Sequence, residues 1–131
     1  MNLLLDTHIW IWSLLEPEQL GPELREALES VGSELWLSPV SVWETVMLIE
    51  RGRLQVPGDA ADWIDRMIRR APIREAPFTF EVALESRRAG LAHQDPADRL
   101  LAATAKVHGL TLVTADERLL SGQGYQVRPH R

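Results

Sequence analysis

Four acidic residues occupy positions where a parallel α/β sheet would gather them at one edge. Asp6 directly follows the apolar run 3–5, and Asp116 follows a second apolar run, "LTLV", after two intervening residues. Glu44 and Asp98 lie in the first turns of two predicted helices. A carboxylate beside apolar surface is costly unless something pairs with it, so Asp6 in particular predicts a bound partner.

The chemistry that suits such a cluster is metal-dependent hydrolysis. Four carboxylates brought together would repel one another and raise their own pKa values unless cations lay between them. Hard oxygen ligands favour Mg²⁺ or Mn²⁺, and a cation held in this way can activate a water molecule and stabilise charge on a phosphodiester oxygen. We therefore expect a phosphodiesterase site built from Asp6, Glu44, Asp98 and Asp116, which are separated by 38, 54 and 18 positions.

Three of these acids also have a purely structural interpretation. Ser41 and Glu44 match the S-x-x-E capping box, and Asp95 with Asp98 resembles it. Asp116 would serve equally well as the N-cap of the last helix. The coincidence of four acids at one predicted edge favours catalysis over capping.

The elements that would position these acids are short apolar runs alternating with helical patterns. Predicted strands lie at 3–5, 34–37, 73–76, 110–113 and 125–127, and predicted helices at 9–15, 22–30, 39–51, 60–70, 80–90, 96–108 and 117–120. Predicted N-caps are Ser38, Asp59, Thr79 and Asp95, and predicted glycine stops are Gly52 and Gly109. Strands separated by helices predict a largely parallel sheet covered by helices on both faces, with ligands beyond the carboxyl ends of the strands.

The composition agrees with one soluble domain spanning 1–131. The chain has average apolar content and no cysteine, which excludes disulfide frameworks and thiolate metal sites. It has no apolar run long enough for a membrane span and no basic flank of a secretory signal, so we expect a cytoplasmic protein. Its net charge of −5 disfavours a nucleic-acid partner unless a divalent cation reverses the local field.

Four segments together resemble a known family. They are "LLLDTHIW" at the N-terminus, "SVWE" ending in Glu44, "HQDPADRLLAATA" containing Asp98, and "LVTADERL" containing Asp116. Together they are similar to the PIN-domain ribonucleases, and specifically to the VapC-type toxins of type II toxin–antitoxin pairs. The resemblance covers essentially the whole chain. It implies a three-layer PIN-like α/β fold of about five parallel strands and an endoribonuclease site that uses Mg²⁺ or Mn²⁺.

The resemblance also implies roles for particular residues. Asp6, Glu44, Asp98 and Asp116 match the acidic quartet of the family, with Asp6 and Asp98 foremost as direct metal ligands. Two further residues match supporting positions: Thr114 as a hydroxyl that orients a water or a carboxylate, and Asp95 as a helix cap beside the site. Independently of the resemblance, Arg99 directly follows Asp98 and is expected to contact either substrate phosphate or a neighbouring acid. Thr7 and His8 are expected only to shape the turn after Asp6.

The partners implied by the resemblance are an RNA substrate, a second copy of the chain in a homodimer, and a VapB-type antitoxin whose C-terminal segment covers the site. DNA would be contacted only through the antitoxin. The apolar helix with Trp10 and Trp12 either meets one of these protein partners or is buried against the sheet. Trp36, Trp43 and Trp63 are expected in the core or at its edge.

Two other classes of function stay open. One is a PIN-fold module that binds RNA or a partner without cutting it. The other is a phosphoryl-accepting signalling domain, which would need a phosphoacceptor aspartate after a central strand and a lysine after a late one. "ELWLSP" and "LTLVTA" supply neither.

Overall fold

Five parallel strands form one twisted sheet in the computed structural model, which describes residues 1–88 and 95–131. The strands are β1 (Asn2–Leu5), β2 (Glu34–Leu37), β3 (Arg74–Glu75), β4 (Thr111–Thr114) and β5 (Gln126–Pro129). Their order across the sheet is β3-β2-β1-β4-β5, and every neighbouring pair is parallel. The predicted parallel α/β class is confirmed, with β1 at the centre of the sheet.

Seven α-helices connect these strands in the described ranges. They are α1 (Thr7–Leu15), α2 (Pro22–Glu29), α3 (Pro39–Glu50), α4 (Ala60–Arg70), α5 (Phe80–Arg88), α6 (Pro96–His108) and α7 (Glu117–Leu120), with a 3₁₀ turn at Pro17–Gln19. Helix α1 begins two residues earlier than predicted, because Asp6 is its N-cap. The last two residues of the predicted 80–90 helix, and the first two of the "HQDPADRL" motif, lie outside the described residues.

The two faces of the sheet carry separate apolar clusters. In β1, Leu3 and Leu5 pack into one cluster and Leu4 into the other, as the alternation of a strand requires. The first cluster takes in residues of α1, α2 and α4, and the second takes in residues of α6 and α7. The predicted three-layer arrangement is therefore confirmed.

The helix caps follow the sequence signals. The Ser38 hydroxyl accepts a hydrogen bond from the Val40 N–H at 3.0 Å, ahead of Pro39 at the first position of α3. Helix α6 ends at Gly109, which adopts the left-handed conformation with a φ of 65°. These caps fix where α3 and α6 begin and end, and hence which of their residues reach the sheet edge.

The tryptophans differ in one respect from expectation. Trp10 and Trp63 are buried, and Trp12 packs at the edge of the first cluster. Trp43, predicted for the core or its edge, is instead 59% exposed. The prediction was wrong because α3 buries Ser41 and Thr45, and Trp43, two residues from each, lies on the opposite side of the helix.

No helix within residues 1–88 and 95–131 has the length and apolar character needed to cross a bilayer.

Candidate active site

Asp6 lies at the carboxyl end of the central strand with its side chain almost fully buried. Its backbone N–H donates to the Val113 carbonyl at 3.0 Å, which continues the pairing of β1 with β4 for one more residue. Its Oδ1 accepts from the Thr7 N–H at 2.7 Å and so caps α1. Only 9% of the residue is exposed. The carboxylate is therefore held firmly at the edge to which parallel strands bring their ligands.

Thr114 connects Asp6 to a second acid. Its buried hydroxyl donates to Asp6 Oδ2 at 2.6 Å and accepts from the Asp116 backbone N–H at 3.0 Å. One side chain thus orients a carboxylate and fixes the main chain at the next acidic position. Of the two alternatives for Thr114, a water or a carboxylate, the structure shows the carboxylate.

Glu44 is tied to the same corner through Thr7. The Thr7 hydroxyl donates to Glu44 Oε1 at 2.6 Å and also forms a hydrogen bond with the buried Ser41 hydroxyl at 2.9 Å. The capping-box interpretation of Glu44 fails, because the N-cap of α3 is Ser38 and Ser41 is already inside the helix. Glu44 therefore faces the carboxyl end of β1.

Thr7 does more than the prediction gave it. It was expected only to shape the turn after Asp6, whereas its buried hydroxyl links α1 to α3 through hydrogen bonds with Ser41 and Glu44. The sequence signal for this role was the position of Thr7, directly after the aspartate that ends β1 and at the start of α1. That position indicates a hydrogen-bonding role only when Ser41 and Glu44 are seen to lie opposite Thr7.

Asp95 and Asp116 both act as helix caps. Asp95 Oδ1 accepts from the backbone N–H groups of Ala97 and Asp98 at 2.9 and 3.4 Å, as predicted for a cap beside the site. Asp116 accepts a hydrogen bond from the Arg118 N–H at 2.9 Å and is therefore the N-cap of α7, as its structural interpretation predicted. A capping carboxylate keeps oxygen lone pairs for a further ligand, and capping therefore does not exclude metal binding.

The Tyr125 phenol is influenced by the charges of both Asp98 and Asp116. Burial raises the pKa of the Tyr125 phenol, and the negative charges of Asp98 and Asp116 raise it further. Its hydroxyl donates to the Leu119 carbonyl at 2.6 Å. No sequence motif marks this tyrosine, which lies in the loop directly before β5.

Electrostatics at the site favour a cation. Burial is the main reason that the pKa of Asp6 is raised, and the charge of Asp116 adds to it, while hydrogen bonds from Thr114 and Thr7 and the charge of His8 lower it. The pKa of Glu44 is raised chiefly by burial and also by the charges of Asp6 and Asp95, while the Thr7 hydrogen bond and the charge of His8 lower it. Within the described part of the chain, no lysine or arginine forms an ion pair with Asp6 or Glu44.

The donor set fits a hard divalent cation in chemical type. Carboxylate oxygens are the ligands that Mg²⁺ and Mn²⁺ prefer, and a cation would offset both the burial and the repulsion that raise the two pKa values. Across residues 1–88 and 95–131, no three acidic or imidazole side chains already stand close enough to form a complete metal site.

Two further predicted residues have defined places. Arg99 Nε donates to the Ser86 carbonyl at 3.0 Å and so links α6 to α5. His8 is exposed on α1, with its ring centroid 6.0 Å from that of Trp12. Neither observation assigns a catalytic role to these residues.

Comparison with known proteins shows the family to which the chain belongs. The PIN domain model matches residues 3–122. A protein of Mycobacterium tuberculosis named Ribonuclease VapC22 is 36% identical over 123 residues, which cover 92% of this chain and 91% of the relative. This chain belongs to the PIN domain family. The resemblance inferred from its four sequence segments is thus confirmed.

Solved structures share the PIN fold along nearly the full length. VapBC2 from Rickettsia felis, bound to a DNA fragment from its promoter, superposes with a TM-score of 0.74 at 14% identity and covers 98% of both chains. FitAcB from Neisseria gonorrhoeae superposes with a TM-score of 0.65 at 25% identity and covers 95% of both. This chain therefore shares the fold of these two structures along nearly its whole length.

Proposed function

We propose that this protein is a metal-dependent endoribonuclease that acts as the toxin of a type II toxin–antitoxin pair. The observation that carries the proposal is the buried Asp6 carboxylate, which Thr114 and Thr7 hold close to Glu44. Among the described residues, no lysine or arginine forms an ion pair with Asp6 or Glu44. An arrangement that burial and repulsion make unfavourable by itself is typical of a functional site. The 36% identical relative named a ribonuclease supports RNA as the substrate.

In this proposal the acidic residues have different roles. Asp6 and Asp98 bind Mg²⁺ or Mn²⁺ directly, and Glu44 and Asp116 complete the set of metal ligands. Asp95 supports Asp98 by capping the helix that carries it, and Thr114 keeps the Asp6 oxygens in place. Arg99 is a candidate contact for the substrate phosphate.

A bound divalent cation would supply charge stabilisation at the phosphodiester and a more acidic water as nucleophile. The protein contributes the fixed carboxylate oxygens and a strand edge from which water is partly excluded. No side chain forms a covalent bond to the substrate in this scheme, and His8 is not required as a general base.

The partners follow from the family relationship. We propose a cognate VapB-type antitoxin that covers the site, a homodimer as the assembled toxin, and contact with DNA only through the antitoxin. The toxin would act in the cytoplasm, where its RNA substrate lies. The solved VapBC2 complex from Rickettsia felis, which includes promoter DNA, supports a partner that binds DNA.

Conservative substitution of two acids tests the catalytic part. Asp6→Asn and Asp98→Asn should each abolish RNA cleavage and growth inhibition, because an amide cannot replace a charged metal ligand. Glu26→Gln, an exposed change on α2, is the matched control and should retain both. Unchanged cleavage in the two aspartate variants would overturn the catalytic assignment and leave a module that only binds RNA or a partner.

Expression with and without the neighbouring small gene tests the toxin part. The chain alone should slow growth and create new RNA ends, and co-expression of the small gene should restore growth and suppress those ends. A chain that cleaves RNA in vitro but is harmless alone would be a ribonuclease without a toxin role.

A further inference from the structure

An open cleft of about 290 Å³ adjoins the proposed catalytic acids on the α3 side. It combines an exposed aromatic ring, two arginines, a histidine and two carboxylates. The residues are Trp43, Arg51, Arg53, His8, Glu44 and Asp95. Because Glu44 belongs both to this cleft and to the acidic cluster, a chain bound at the acids would continue directly into the cleft.

Trp43 is the aromatic wall of this cleft. It is 59% exposed, although burial of an indole is normally favourable, and it immediately precedes Glu44 on α3. An exposed aromatic face can stack on any base, because every base offers a π-face. The position of Trp43 beside a catalytic acid makes an unpaired base the fitting ligand.

Arg51 and Arg53 supply positive charge to the cleft. Both are exposed and flank Gly52, whose φ of 73° turns the chain after α3. Among residues 1–88 and 95–131, neither guanidinium forms an ion pair. In a chain with a net charge of −5, two arginines facing one cleft form a local site suited to phosphate.

We propose that this cleft is a subsite for single-stranded RNA, in which Trp43 stacks on an unpaired base and Arg51 and Arg53 bind the adjoining backbone phosphates. The inference rests on the proposed function, because it extends the same substrate away from the acids. Trp43 also borders an apolar cleft of about 340 Å³ with Phe78 and Leu100, which would suit a second copy of the chain instead. The arginines on the Glu44 side favour RNA, since an apolar dimer contact would not need them.

Binding of RNA tests the stacking contact. In an Asp6→Asn background, which should not cleave, the affinity for a labelled unstructured oligoribonucleotide is measured by fluorescence anisotropy. Trp43→Ala should weaken binding between about fivefold and a hundredfold, as expected for the loss of one base stack. Trp43→Phe should keep most of the affinity, and Phe80→Ala, at a residue 92% exposed elsewhere, should change nothing.

The salt dependence of binding tests the arginines separately. For single strands, the slope of log K against log salt changes by about 0.7 for each phosphate contact. Arg51→Gln with Arg53→Gln should therefore reduce the slope by about 1.4, whereas Trp43→Ala should leave it unchanged. The matched control is Arg25→Gln with Arg66→Gln, two exposed arginines outside the cleft, which should leave the slope as it is.

The outcomes separate the subsite from the proposed function. If the wild-type chain cleaves RNA but the Trp43 and arginine variants bind and cleave normally, the subsite is wrong and the ribonuclease assignment stands. If RNA binds through Trp43 and the arginines but is never cut, the subsite stands and the catalytic proposal fails. A Trp43→Ala variant that loses dimerisation in sedimentation, with RNA affinity intact, would assign the surface to a second copy and overturn the inference.

Discussion

Two threonine hydroxyls organise the acidic residues at the end of β1. Thr114 donates to Asp6, and Thr7 donates to Glu44. A hydrogen bond to a charged group contributes about 1.5–3 kcal/mol, more than a neutral pair in the same place. Each hydroxyl therefore stabilises the ionised form of its carboxylate and partly offsets the effect of burial on the pKa.

Removal of the Thr7 hydroxyl should impair catalysis without changing the shape of the side chain. Thr7→Val leaves Glu44 without its donor, so kcat/KM for RNA cleavage should fall at least about tenfold. Because the lost bond had lowered the pKa of Glu44, the acidic limb of the pH–rate profile should move to higher pH. Thr7→Ser keeps the hydroxyl and is the control. Identical profiles for the two variants would show that Glu44 does not depend on Thr7.

Asp6 should make the metal-free protein less stable as pH rises. Its pKa in the folded chain lies above the ordinary value, so the folded state holds the proton more strongly than the unfolded state. The free energy of unfolding should then fall as pH increases from the ordinary pKa through the raised one. Asp6→Asn, which cannot ionise, should be more stable than wild type at neutral pH in EDTA.

Urea denaturation at pH 4 to 8 measures this effect, with Glu26→Gln as an exposed control. Added Mg²⁺ should raise the stability of the wild type and not that of Asp6→Asn, because only the carboxylate binds the ion. A wild type and an Asp6→Asn variant with parallel pH profiles would contradict the burial cost assigned to Asp6.

At the scale of elements, α6 places Asp98 and then returns the chain to β4. Asp95 caps its start and Gly109 ends it, and the Leu110 N–H donates to the Ala105 carbonyl at 2.9 Å across that end. The two caps set the length of α6. They thereby determine the positions of Asp98 and β4 relative to each other.

Substitution of Gly109 should destabilise the protein through its backbone. A side chain at a φ of 65° costs about 1–2 kcal/mol, although nothing lies within 4 Å of the added Cβ. Gly109→Ala should lower the free energy of unfolding by about 1 kcal/mol. Gly32→Ala, where φ is not positive and the nearest atom is 3.8 Å away, should be close to neutral. Equal urea midpoints for both variants would contradict the strain.

At the scale of the whole molecule, the last residues pack against the first helices. The Gly21 N–H donates to the His130 carbonyl at 2.9 Å, and the His130 ring lies 6.2 Å from that of Trp12. Arg128 reaches the Glu23 carbonyl at 3.5 Å. The segment after β5 thus covers the start of α2, on the side of the molecule that carries α1.

Gly21 should tolerate no side chain for reasons of space alone. A Cβ there would lie 2.7 Å from the main chain of Arg131, so Gly21→Ala should cost about 1–3 kcal/mol of stability. Ending the chain at His130 in the Gly21→Ala variant should recover most of the loss, which a double-mutant cycle by urea denaturation measures. Additive effects of the two changes would show that Arg131 does not limit this position.

Much of this molecule was determined by local sequence. The strands, the helix starts at Ser38 and Asp95 and the stop at Gly109 follow from side-chain periodicity and capping chemistry, which act within a few residues. The same signals located Asp6 and Asp116 after strands. The acids could therefore be named from the sequence and assigned to one edge by the rule for parallel sheets.

Only the tertiary structure decided how these residues meet. The hydrogen bond from Thr7 to Glu44 joins helices that follow different strands, and the hydrogen bond from Thr114 to Asp6 spans 108 positions. Neither contact produces a recognisable pattern in a short stretch of sequence. The exposure of Trp43 depended on which side of α3 packs against the sheet. The contact of Gly21 with Arg131 depended on the packing of the C-terminal residues beside the start of α2. Hydrogen bonds and burial between distant segments depend on packing, which no short stretch of sequence encodes.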